Sequence, residues 1–327
     1  MQRDRSWVRT LAGISILAIL VWRVGGDAFL DGLRHVAAPS VGAAAGIAVV
    51  TTTCGAWRWV LVVRGLGSNL PLREAVAECY RSQFLNVTLP GGVLGDVHRG
   101  VRHGRGSGDT GRALRSVLWE RLAGQVALGV LTMTALLMAP AHTAWQWPSP
   151  LEGRVPAGLL IVASAVIGLV LAGFVIWLGR RDVVALPVRL ARAAAADVRA
   201  GLLGRHTWPG VLATSVLVVA GHVSTFVLAV RATGVTAPVT QLLPLALVVL
   251  VAMSLPINVA GWGPREGIAA WAFAAAGLGP AAGVGAAAVY GVMAFASSLP
   301  GAAVIIAARR RRPHDRLVVT REGALGG

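Results

Sequence analysis

"LNVTLPGGVLGDVHRG" occupies Leu85–Gly100, and "LPINVAGWGPREG" occupies Leu255–Gly267. Each joins a Leu-Pro pair to glycines, then to an acid and an arginine close together, and each interrupts or adjoins a long apolar stretch. Proline and paired glycines stop a helix, because proline lacks the amide hydrogen and glycine adopts bends that other residues avoid. Non-helical backbone at membrane depth is tolerated only where protein buries it or a hydrated cavity receives it. Both stretches therefore read as broken or re-entrant helical segments, one near 80–98 and the other near 255–267.

The surroundings support a membrane setting. Of 327 residues 55% are hydrophobic and only 13% are Asp, Glu, Lys or Arg, against about 25% charged in soluble domains. Mean hydropathy is +0.68. An all-α polytopic membrane protein follows, with about eight spans expected near 7–24, 40–63, 116–139, 157–178, 210–230, 240–260, 264–279 and 283–308. The seventh is short enough to be a half-span. Residues 1–312 form the membrane domain and 313–327 a short tail. The first span lacks a small-residue cleavage site after its core and is read as retained.

Charge sets an orientation. The net charge of +16 rests on thirty basic residues, all of them arginine. They gather before the first span, between 64 and 115, between 180 and 205, and at Arg309–Arg312, while the alternate loops hold few. The positive-inside rule places both termini in the cytoplasm, in an inner membrane. This distribution explains the basicity without nucleic acid, which is not an expected partner. Trp7, Trp57, Trp59 and Trp177 fall near inner interfaces and read as anchors. The loop at 179–209 mixes arginines and apolar residues at helical spacing, as a surface-lying helix would.

The ionisable residues near the breaks carry the chemistry. Asp96 and Arg99 are three residues apart and share one helical face. Backbone groups freed by Pro90, Gly91 and Gly92 lie close in sequence, with Asn86 and Gly95 shaping the same turn. A guanidinium beside free amides suits a phosphate; a solvated acid–base pair in a turn is the plainer alternative. In the second stretch Pro256, Asn258, Gly261 and Gly263 shape the break, Pro264 suits a first helical turn, and Arg265 and Glu266 follow. Glu120 and Arg121 form a third ionic element, with Glu120 expected to meet Arg99 or Arg265. Ionisable groups within a span are functional candidates by default. No metal-ligand pattern arises from Cys54, Cys79, His98 or His103, His222 reads as a packed helix residue, and no phosphate-loop motif is present.

Leu89-Pro90 and Leu255-Pro256 are offset by 166 residues, as are Arg99 and Arg265. This suggests an internal duplication, and with both motifs counted toward the cytoplasm it favours parallel repeats.

"YRSQFLNVTLPGGVLGDVHRG" (80–100), "SVLWERLAG" (116–124), "LPINVAGWGPREG" and "SLPG" (298–301) together resemble the lysylphosphatidylglycerol synthase transmembrane region, a flippase-like membrane domain. The resemblance covers roughly 7–308. It implies a lipid translocase moving an anionic or aminoacylated phospholipid between leaflets, with Asp96, Arg99, Glu120, Arg121, Arg265 and Glu266 as headgroup-binding candidates and no cofactor. The soluble synthase domain of the best understood members is not expected here, since 15 residues follow Arg312. Membrane phospholipids and a separate lipid-modifying enzyme are the expected partners. A membrane enzyme or accessory subunit in polyprenyl-linked glycolipid or phospholipid metabolism is the alternative, and a purely structural role for the charged motifs is a third.

Overall fold

The computed structural model describes residues 38–89, 92–138, 193–254 and 264–323, with side chains up to 308. The spans expected at 7–24 and 157–178 lie outside these residues, as do Pro90, Gly91, Pro256, Asn258, Gly261 and Gly263 and the first part, 179–192, of the loop at 179–209.

Every described element is helical. In chain order they are α1 (Ala38–Gly65), α2 (Leu72–Thr88), α3 (Leu94–Ser107), α4 (Thr110–Met138), α5 (Trp208–Ala232), α6 (Val239–Met253), α7 (Pro264–Ala275) and α8 (Pro280–Gly323), with a π-helical turn at Val198–Leu202 before α5. Proline marks several starts: Pro71 precedes α2, Pro209 lies in the first turn of α5, and α7 and α8 begin on prolines. At a first turn the missing amide hydrogen costs nothing, because that donor has no partner within the helix. Among the described residues α1, α4, α5 and α8 are long and apolar enough to cross a bilayer.

α2 and α3 do not cross. They form a helical hairpin: Ser82 and Asn86 meet Asp96, while nearer the base Glu78 meets Arg102. α2 has 17 residues and so reaches about 26 Å at 1.5 Å per residue. The turn exposes Leu89, Val93, Leu94 and Val97, whereas the base carries Arg102 and Arg105. An apolar tip and a basic base suit a hairpin that dips into the bilayer and returns. Gly92 takes a positive φ of 63° in the turn. Gly95 lets the arms touch, since a Cβ there would overlap the Ser82 carbonyl oxygen.

The positions expected as sixth and seventh spans are two short helices. α6 has 15 residues and α7 has 12, about 23 and 18 Å. They too are antiparallel arms, because Gln241 Nε2 at the start of α6 donates to the Ala276 carbonyl beyond α7 at 3.1 Å.

The duplication is visible element by element. α1, α2, α3 and α4 correspond to α5, α6, α7 and α8, with starts offset by 167–170 residues. The packing is paired in the same way: α3 on α4 and α7 on α8, α2 on α8 and α6 on α4, with α1 against α5 at the junction. α1 and α5 run antiparallel. Gly65 lies against Ala200 and Gly201, Gly210 against Leu61, and Gly221 against Thr51 and Ile47. Corresponding helices thus point in opposite directions, and the repeats are inverted rather than parallel. The parallel expectation rested on counting α6 and α7 as separate crossings.

One apolar core joins α5–α8 around Phe226, Phe273 and Tyr290. A second surrounds Trp59, Val60, Val63, Leu70 and Ala75 under the α2–α3 hairpin. Trp57 is exposed, as an anchor should be, but Trp59 is fully buried with its indole N–H donating to Ser116 Oγ at 3.0 Å.

Two outcomes test this fold. Gly95→Ala forces the hairpin arms apart and should cost about 1–3 kcal/mol by overpacking, read as a lower Tm in detergent. Asp96→Asn should flatten the acid limb of the stability profile. Asp96 has a lowered pKa, so its contribution is full above the unfolded value of about 3.9 and is lost as pH falls through the folded one.

Candidate functional site

Five charged side chains from three helices meet beneath the hairpin. Arg58 comes from the interior of α1, Asp96 and Arg99 from the first turns of α3, and Glu120 and Arg121 from α4. Glu120 is the hub. Its Oε1 accepts from Arg58 Nε at 3.0 Å and its Oε2 from Arg99 Nη2 at 2.6 Å. Asp96 is the second anchor, with Oδ1 accepting from Arg99 Nε at 3.1 Å and from Arg121 Nη2 at 2.7 Å.

The supporting shell is polar and specific. Ser82 Oγ donates to Asp96 Oδ1 at 2.9 Å, and Asn86 Nδ2 donates to Oδ2 at 3.1 Å. Asn86 Oδ1 accepts the Gly95 N–H at 2.8 Å, tying the hairpin turn to the carboxylate. Arg58 Nη1 donates to Ser215 Oγ on α5 at 3.1 Å. Arg99 lies 4.7 Å from the Trp59 ring centroid and donates from Nη1 to Cys79 Sγ at 3.4 Å. Stacking on the indole face adds attraction where water is excluded.

Burial and charge oppose each other here. Burial alone would raise the pKa of Asp96, but Arg121 and Arg99 outweigh it and hold the carboxyl below its ordinary value. Burial also works against the charge on Arg99, yet Glu120 and Asp96 hold its pKa up. For Cys79 burial prevails over Arg99 and pushes the thiol up, so it stays protonated.

Three guanidinium groups face two carboxylates, which leaves one surplus positive charge. The members differ in access. The side chains of Arg58, Arg99 and Glu120 are 3–6% exposed, and that of Arg121 is 45% exposed. Arg121 opens onto a cavity of about 70 Å³, lined also by Thr51, Gln83, Val218 and His222. That space takes several ordered waters or the oxygens of a small anion.

Of the sequence candidates, Asp96, Arg99, Glu120 and Arg121 converge at this site, and Asn86 and Gly95 hold its turn. Arg265 and Glu266 do not reach Glu120. They pair with each other, Arg265 Nε to Glu266 Oε1 at 2.9 Å, with side chains 4% and 1% exposed. The Arg265 guanidinium lies 5.8 Å from the Tyr290 ring centroid. His222 is not simply packed: it lines the cavity, and its Nδ1 is 3.1 Å from the Tyr290 hydroxyl. Arg58 escaped the sequence reading although its signal was plain, an arginine within an apolar span. The flanking Trp57 and Trp59 made that position look like an interface. Among the described residues no cluster of His, Cys, Asp and Glu has a metal-holding arrangement.

No curated protein and no solved structure matches the chain. One family model does, over residues 7–301, which takes in all of the converging residues. An all-helical multi-pass membrane protein with this match belongs to the family of the lysylphosphatidylglycerol synthase TM region.

Proposed function

We propose that the protein is a lipid translocase that passes an anionic or aminoacylated phospholipid between leaflets of the cytoplasmic membrane, with both termini cytoplasmic. The observation that carries this reading is the single surplus positive charge, with Arg121 as its exposed member. A phosphodiester headgroup carries one negative charge, and its oxygens match the planar fork of a guanidinium. The surrounding ion pairs limit the attraction. Arg58 and Arg99 are already engaged by Glu120 and Asp96, so a headgroup meets one net charge rather than three. A site that must release its lipid gains from that restraint. The acyl chains stay outside, along the apolar face that α4 presents through Val126, Val130 and Leu137.

Family membership supports a lipid-related role. A separate lipid-modifying enzyme supplying the aminoacylated headgroup is the partner this reading implies.

Proteoliposomes with headgroup-labelled phosphatidylglycerol, its lysyl ester, a polyprenyl phosphate and phosphatidylcholine test the proposal. Wild-type protein should move an anionic or aminoacylated lipid between leaflets and leave phosphatidylcholine in place. Arg121→Ala should lower that rate about 10- to 100-fold, the loss of one charge-assisted contact, with a smaller fall in Tm than Arg58→Ala gives, because Asp96 keeps Arg99, Ser82 and Asn86 as partners. Unchanged movement with Arg121→Ala would remove its assigned role.

Arg58→Ala should behave differently. It strips a partner from buried Glu120 and should destabilise the protein by about 3–5 kcal/mol, seen as a large fall in Tm before any transport is measured.

A further inference from the structure

We infer that the cavity at Arg121 selects lipids by the sign of the headgroup's net charge: it takes a singly anionic polyol phosphodiester, of which phosphatidylglycerol is the simplest, and turns away the same lipid once an amino acid has been esterified to it. This rests on the translocase reading and narrows its substrate. A lipid-modifying partner then acts after the lipid has left the cavity, or strips the amino acid before it enters.

The carboxylates are the first support. Phosphatidylglycerol carries one negative charge, whereas its lysyl ester adds two ammonium groups and carries one positive charge. An ammonium taken out of water needs an anionic acceptor, or its desolvation cost stands unanswered. Glu120 is the carboxylate that lines the cavity, among Arg58, Arg99 and Arg121. Both of its oxygens are taken, Oε1 by Arg58 and Oε2 by Arg99. Asp96 is engaged as fully, with Oδ1 accepting from Ser82, Arg99 and Arg121 and Oδ2 from Asn86. Among the described residues the one buried carboxylate oxygen without a hydrogen-bond partner is Oε2 of Glu78. Glu78 does not line the cavity, and Arg81 and Arg102 share its Oε1 at 2.6 and 3.0 Å. An ammonium brought there would face two guanidinium groups.

Access has the same sign. The cation is presented and the acid withheld: the Arg121 side chain is 45% exposed and that of Glu120 is 4% exposed. His222, on the same wall, adds no negative charge in either protonation state, and Cys79 stays a thiol.

The rest of the polar lining is neutral and suits hydroxyls. Thr51 Oγ1 donates to the Ala48 carbonyl at 3.2 Å, which leaves its lone pairs for an incoming donor. Thr52 and Gln83 pair across α1 and α2 at 3.0 Å. A hydroxyl both donates and accepts, as these groups do, whereas an ammonium only donates. At about 70 Å³ the cavity is also small for a lysyl chain in addition to a phosphate.

Movement of acyl-labelled lipids between the leaflets of phosphatidylcholine vesicles tests the selection. Phosphatidylglycerol, its alanyl ester and its lysyl ester carry one negative charge, no net charge and one positive charge. Wild-type protein should move them in that order. Each added ammonium should slow movement about tenfold, the effect of one unit charge on another at roughly 12 Å through an effective dielectric of about 20. Gln83→Glu sets a carboxylate in the lining with little change of shape and should shrink the preference for phosphatidylglycerol over the lysyl ester about tenfold. A lysyl ester moved as fast as phosphatidylglycerol by wild-type protein overturns the selection and leaves the translocase standing. A preference unchanged in Gln83→Glu of near wild-type Tm overturns its electrostatic cause; if that variant fails to fold, the wild-type series decides alone. No movement of any lipid overturns the translocase reading and the selection with it. Glycerophosphoglycerol, the same headgroup without acyl chains, should bind more weakly than the lipid; equal binding assigns the cavity to a soluble phosphodiester and overturns the lipid substrate.

Discussion

A guanidinium buried in a membrane protein must be answered by a carboxylate, and Glu120 answers two. Isolated, each charge would carry a desolvation cost of several kcal/mol. Joined through Glu120, Arg58 of α1 and Arg99 of α3 fix the distance of both helices from α4. Asp96 extends the lattice to Arg121 and, through Ser82 and Asn86, to α2. A hairpin that does not cross the bilayer has too little apolar burial to hold itself in place. These charged contacts supply that hold, while the residues that lock the fold also define the polar cavity.

Much of this was legible in the sequence, for reasons that can be named. Asp96 and Arg99 share a face because helix geometry brings i and i+3 together, and the proline and glycines before them can only end a helix. What stayed hidden was partnership across the chain. Nothing local distinguishes Arg99 from Arg265 as the mate of Glu120, since that choice depends on how α3 and α7 lie in space. Arg58 stood in plain view inside an apolar span but was masked by tryptophans, one of which proves to be core. The repeat was readable from the shared offset of two Leu-Pro pairs and two arginines, but its direction was not. Direction depends on whether α6 and α7 each cross the membrane, and a hydropathy profile does not separate two short crossings from one hairpin.

The two halves are alike in plan and unlike in detail. The first hairpin is polar within, with Glu78, Arg81, Ser82, Asp96 and Arg99 all buried. Among its described residues the second is largely apolar, with Leu242, Leu245, Val249, Phe273 and their neighbours in one core. Duplication supplies one frame for two hairpins whose flanking helices run in opposite directions. Divergence has made the first a charged hairpin beside a polar cavity, whereas among its described residues the second holds the Arg265–Glu266 pair next to an apolar core.

The packing is also interlocked, with α2 lying on α8 and α6 on α4. Each half lends its spanning helix to brace the hairpin of the other. For a chain made from its N-terminus onward, this has a cost in time. The first hairpin carries buried charges early in synthesis, yet one wall of its berth is the last described helix. Until α8 emerges, Tyr80 and Phe84 lack the Gly301 surface against which they close. The α2–α3 hairpin must therefore wait, incompletely sheltered, for most of translation. The contact that completes the hairpin's berth is thus made late, between residues more than 200 positions apart, the kind of long-range closure that slows folding.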